Sequence, residues 1–113
     1  MPPQADLLPG TLDALILKAV SLQRHHGYGV MERIHHITGG AFRIEEGALY
    51  PALHRLEHQG YLVGEWGVSD NNRRAKYYRL TATGRKRLSD TMHQWQRLAK
   101  AMDLAFNACA EEV

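Results

Sequence analysis

Between Asn71 and Ser89 the chain carries Arg73, Arg74, Lys76, Arg79, Arg85, Lys86 and Arg87, seven of its 14 Lys and Arg residues, and no Asp or Glu. Ordinary surfaces mix signs, so a run of one sign makes a local positive field. Such a field neutralises phosphates and gains affinity for a duplex by releasing its counterions. Upstream, Tyr50, His54 and Arg55 carry groups that hydrogen-bond a phosphate or an acceptor on a base edge. Gly47 and Ala48 beside them are small enough to let a backbone approach a phosphate closely.

Other chemistries find less support. Ser21, Ser69 and Ser89 stand in no nucleophile-elbow context. Gly27-Tyr28-Gly29 lacks the third glycine of a dinucleotide fingerprint, and no phosphate-binding loop motif occurs. Glu45-Glu46 reads as an acidic start to a helix rather than a catalytic carboxylate pair. His54 and His58 lie one helical turn apart, with His25, His26, His35 and His36 elsewhere, but no cysteine or carboxylate recurs around them at ligand spacing. The expectation is therefore a binding protein, not an enzyme, with no cofactor and no metal.

With 113 residues, 44% hydrophobic and 23% charged, the chain has room for one modest core. Its net charge of +2 announces nothing by itself; the distribution does. Cys109 is the single cysteine and cannot pair within the chain, and Met1–Gly10 lacks the pattern of a signal peptide, which together point to the cytoplasm. The longest apolar stretch, near Leu12–Val20, is too short and too charged to span a bilayer.

The elements that must position these residues can be read from periodicity. Thr11 is placed to cap a helix carrying Leu12, Leu15, Ile16, Ala19 and Val20, with Asp13 in its first turn. His25-His26-Gly27 breaks it, and Val30, Ile34 and Ile37 mark a second helix that stops at Gly39-Gly40. A third, from about Gly47 to Gly60, turns Leu49, Ala52, Leu53 and Leu56 inward, with Pro51 expected in or near its first turn. This wheel leaves Gly47, Pro51, His54 and His58 outward, flanked by Tyr50 and Arg55.

From Tyr61 to Val68 the period falls to two, Ser69-Asp70-Asn71-Asn72 supplies turn residues, and Lys76–Leu80 reads as a second strand. Trp66 is expected in the core. Beyond Thr81, Leu88, Met92, Trp95, Ala99, Met102, Phe106 and Cys109 recur at alternating steps of four and three, the seam of a helix that pairs with another. From Gly84 to Ala110 such a helix is about 40 Å long at 1.5 Å per residue. It exceeds what the preceding body can cover, so the chain is expected to form a homodimer through it.

Three helices followed by an antiparallel ribbon is the order of a winged helix-turn-helix, whose third helix enters the major groove of double-stranded DNA while the ribbon meets backbone or minor groove. The fold class expected is mainly α (α+β), with a two-stranded β wing and a long C-terminal dimerisation helix. Residues 1–81 would form the DNA-binding part and 82–113 the dimerisation helix of one compact unit. The candidate DNA contacts are Gly47, Ala48, Tyr50, Pro51, His54 and Arg55 on the third helix and Asn72, Arg73, Arg74 and Lys76 on the wing. The alternative is a winged-helix module that uses the same surface for a protein partner and binds no DNA.

Leu8-Pro9-Gly10-Thr11-Leu12, His26-Gly27-Tyr28-Gly29, the segment Glu46-Gly47-Ala48-Leu49-Tyr50-Pro51-Ala52-Leu53-His54-Arg55-Leu56-Glu57, and Asn72-Arg73-Arg74-Ala75-Lys76-Tyr77-Tyr78-Arg79-Leu80-Thr81 together resemble the PadR family of bacterial transcription regulators. The resemblance covers nearly the whole chain. It implies a homodimeric winged-helix repressor with crossed C-terminal helices, released from its operator by an effector or signal. A single helix after the wing is similar to the short-form members, in which flat aromatic-lined cavities at the dimer interface take the effector. Trp95 occupies the matching position, which makes it a candidate contact for a small aromatic effector as well as an interface residue.

Overall fold

The computed structural model describes residues 10–112. Helix α1 (Thr11–Leu22) follows Gly10, whose carbonyl accepts the Ala14 N–H at 3.2 Å and so makes it, rather than Thr11, the N-cap; Thr11 is the first helical residue. Of the expected apolar stripe, Ile16, Ala19 and Val20 are buried and Leu12 and Leu15 partly so, and Leu17, which that stripe left out, is buried with them. Residues Leu8 and Pro9 of the opening motif lie outside the described residues.

His25–His26 form a two-residue strand, β1, that pairs antiparallel with the later strand β3 (Arg74–Leu80), His25 opposite Tyr78 and His26 opposite Tyr77. A strand this short has no period to read, and the sequence reading took it only as a helix break. His26 then caps α2 (Gly27–Ile37) by accepting the Gly29 N–H on its ring nitrogen at 3.1 Å. Arg33 of α2 donates to the carbonyls of Ala19 and Gln23 at 2.9 and 2.6 Å, tying off the open end of α1. Gly39 and Gly40, both at positive φ, follow α2 as its glycine pair predicted.

Helix α3 (Glu46–His58) buries Leu49, Ala52, Leu53 and Leu56, the face read from the wheel. Pro51, expected in or near the first turn, sits just past it, in the second. Its missing N–H would have met the Gly47 carbonyl, and Gly47 is exposed, so water can serve that carbonyl instead.

Strand β2 (Leu62–Val68) and β3 form the expected hairpin, in register from Leu62 opposite Leu80 to Val68 opposite Arg74. The tip is closed by Ser69 N–H to the Arg73 carbonyl at 2.8 Å, with Asn72 at φ +58°, a conformation asparagine tolerates. With β1 the sheet has three strands in the order β1-β3-β2, one more than the sequence disclosed. The core of Ile16, Leu17, Val30, Ile34, Leu49, Leu53, Leu56, Leu62, Tyr78 and Leu80 sits between the helices and the base of this sheet. Trp66 lies beyond it and is 60% exposed, contrary to its expected place in the core, because the outer half of the hairpin extends past the helices.

Thr81 caps the last helix, α4 (Ala82–Phe106), by accepting the Gly84 N–H at 2.9 Å. Gly84 lies against the Tyr61 carbonyl, where a Cβ would overlap backbone. Only Gly84 and Leu88 of α4 are buried. The helix stops at Phe106, where Asn107 turns both its backbone N–H and its side-chain amide onto the Asp103 carbonyl. Cys109 is consequently outside the helix and exposed, so it does not extend the helical seam as its spacing suggested.

Candidate nucleic-acid interface

An open groove of about 790 Å³ runs between the start of α2, the outer face of α3 and the hairpin. Tyr50, His54, Arg73, Arg74 and Lys76, half of the ten candidates chosen from sequence, line it. Gly47, Ala48 and Pro51 are exposed on α3, and Asn72 is exposed at the hairpin tip. The structure therefore brings five of the ten around one groove and leaves four more exposed on the two elements that border it.

The tenth, Arg55, is drawn away. Its guanidinium pairs with the Asp13 carboxylate of α1. Lys76 reaches the groove but is also held, its Nζ donating to Glu57 Oε1 at 2.8 Å; that hydrogen bond raises the lysine pKa above its usual value. Tyr50 is both wall and packing residue, since its ring lies against Gly27 where a Cβ would overlap it. Burial, helped by the Glu46 charge, raises the Tyr50 pKa, so its hydroxyl stays a proton donor at neutral pH.

Two of the wing's four cations, Lys76 and Arg79, are paired. Arg79 pairs with Glu65 at 3.0 Å on the other side of the sheet, whereas no carboxylate pairs with Arg73 or Arg74 among the described residues. Arg74 instead lies over the Trp66 ring, its guanidinium carbon 4.1 Å from the centroid.

Several groove residues were not singled out from sequence. Tyr28, 56% exposed, projects from the start of α2, and its hydroxyl donates to Glu32, which raises its pKa. His25 stacks parallel to Tyr77 with centroids 6.4 Å apart, while His26 meets the same ring edge-on at 5.4 Å. His25 Nδ1 accepts the His26 N–H at 2.9 Å, and burial, with the charges of His26 and Arg33, lowers the His25 pKa below 6.5. Knowing that His25-His26 pairs with Tyr77-Tyr78 would have exposed this cluster, but a two-residue strand gives no such warning. Among the described residues no group of three or more His, Cys, Asp or Glu converges as a metal site.

On the far side, α4 shows Met92, Trp95, Met102 and Phe106 at 41%, 55%, 41% and 76% exposure, and Ala99 is exposed between them. Leu88, the first residue of the expected seam, packs into this chain's own core instead. Trp95 borders a cleft of about 360 Å³ with Thr11, Asp13 and Leu17 of α1, Leu56 of α3, and Tyr61. No helix among the described residues is long and apolar enough to cross a membrane.

The model of the transcriptional regulator PadR-like family matches residues 16–90. An uncharacterised protein of Lysinibacillus sphaericus is 33% identical over 102 residues, 89% of this chain and 93% of that protein. A transcriptional regulator of Mycobacterium tuberculosis is 42% identical over 59 residues, 52% of this chain and 54% of its own. Among solved structures, a transcriptional regulator from Clostridium thermocellum superposes with a TM-score of 0.78 at 28% identity, over 90% of this chain and 96% of that one.

Proposed function

Because this chain belongs to the PadR-like family of transcriptional regulators, we propose that it acts as a homodimeric repressor on a pseudo-palindromic operator. The observation that carries the reading is the groove itself, where the exposed face of α3 and the uncompensated Arg73 and Arg74 of the wing border one surface. Helix α3 enters the major groove through Gly47, Ala48, Pro51 and His54, with Tyr50 setting its distance from α2. Asn72, Arg73 and Arg74 meet the flanking duplex, and Lys76 holds the wing to α3. Arg55 contributes at most a distant charge, being paired with Asp13.

Residues 1–81 are the reading head and residues 82–113 the arm that joins two heads. Two heads related by a two-fold axis require inverted half-sites about one helical turn, roughly 34 Å, apart. The exposed Met92, Trp95, Met102 and Phe106 supply the apolar surface for that pairing. A small aromatic effector seated at Trp95 would alter the spacing of the heads and release the operator.

Fluorescence anisotropy on the DNA upstream of the protein's own gene, with excess random duplex as competitor, tests the reading. Retained binding, with log K falling steeply against log salt, is the expected result. No duplex bound from a genomic fragment pool would leave a protein-interaction module in its place, and duplex binding insensitive to salt would remove the wing arginines from the interface.

A further inference from the structure

Trp66 and Arg74 are diagonal neighbours across the hairpin. Trp66 stands opposite Lys76 and Val68 opposite Arg74, so the two-residue period puts Trp66, Arg74 and Lys76 on one face. That face borders the groove. Lys76 is bound to Glu57, whereas Arg74 lies over the indole at 4.1 Å and pairs with no carboxylate among the described residues. Trp66 is 60% exposed and so adds little to the core. What the ring does here is hold that guanidinium in place.

A phosphate requires only a charge within reach, and the neighbouring Arg73 already supplies one without any ring. A flat, oriented set of donors flanked by an apolar surface matches a narrow minor groove, with acceptors on its floor, sugars along its walls and a deepened negative potential in A·T tracts. Resting on the DNA-binding reading above, we propose that Trp66 is a positioning residue. It holds Arg74 for insertion into an A·T-rich minor groove beside each half-site, with the indole against the sugar wall.

Duplexes enriched from a random pool by the full-length chain serve as probes. In each, the A·T pairs flanking the half-sites are replaced by G·C, which places the guanine amino group on the minor-groove floor, or by inosine·C, which does not. Anisotropy at fixed salt should show affinity kept within about twofold for inosine·C and lowered about tenfold for G·C. Arg74→Lys and Trp66→Ala should reduce that difference to about twofold or less, with the salt slope of Arg74→Lys unchanged because the charge is kept. Trp66→Phe, which retains a ring and the fold, should keep most of the discrimination.

Selected flanks without A·T preference overturn the inference, as do equal affinities for the G·C and inosine·C duplexes or full discrimination by Arg74→Lys. Salt-dependent binding without discrimination defeats only this role of the wing. Failure to enrich any duplex defeats the DNA-binding reading and this inference together.

Discussion

Lys76 reaches Glu57 across the space that Gly64 leaves empty, its Nζ 2.8 Å from the carboxylate, and so links the wing to the helix that fronts the groove. A Cβ at position 64 would overlap the lysine side chain and approach the Glu57 carboxylate to 2.9 Å. Because the atoms it meets are the far ends of flexible, partly exposed side chains, Gly64→Ala is expected to displace the lysine from Glu57 and lower stability by about 1 kcal/mol or less. Denaturant unfolding should show most of that cost relieved in a Lys76→Ala background, because the two substitutions act on one contact. An equal cost in both backgrounds would place the effect in the β2 backbone instead.

His25 gives the stability a pH dependence of definite sign. Its folded-state pKa lies below 6.5, chiefly through burial, so the unfolded chain binds more protons between the folded value and 6.5. The His25 contribution is fully present above about pH 6.5 and is lost as pH falls from there through the folded pKa. Protonation also removes the Nδ1 lone pair that accepts the His26 N–H. An NMR titration of the His25 ring should give a midpoint under 6.5, and a midpoint at or above it would refute the assignment.

The same cluster shows where the sequence stops being legible. Helices α1, α2 and α3 announced themselves because their apolar residues repeat over three turns, and the hairpin did so through its alternating period and turn residues. His25-His26 is too short to repeat anything; it becomes a strand only because Tyr77-Tyr78 lies beside it. The groove candidates on α3 followed from the helical wheel, but the partners of Arg55 and Lys76 did not. Asp13 lies 42 residues from Arg55 and Glu57 lies 19 from Lys76, so only the folded chain brings them together. Trp66 was misplaced for a related reason: alternation tells which face a strand residue takes, not how far the core extends along the strand.

Those ion pairs separate two kinds of arginine. Arg55 is already paired with Asp13, while Arg73 and Arg74 pair with no carboxylate among the described residues. Replacing both wing arginines by alanine should lower the magnitude of the log K against log salt slope by about two, roughly one for each lost phosphate or groove contact. Arg55→Ala should change that slope by less than about half a unit and stability by at most about 1 kcal/mol, since its pair is solvent-exposed. Equal slopes for the two variants would return Arg55 to the DNA contacts.

Two α4 residues one turn apart should fail in different ways. Leu88 is 8% exposed and belongs to the chain's own core, whereas Met92 is 41% exposed on the projecting helix. Leu88→Ala removes buried methyl groups and should lower unfolding stability by about 2–5 kcal/mol. Met92→Glu, combined with Met102→Glu, places charge on the face that we assign to a second copy, where burial without a partner is costly. The double variant should run as a monomer in light scattering at micromolar concentration, keep the helical circular dichroism of its reading head, and lose affinity for a two-half-site duplex much more than for a single half-site. A double variant that remains dimeric would show that the two chains meet elsewhere; a wild-type chain that is monomeric at the same concentration would remove the α4 pairing altogether.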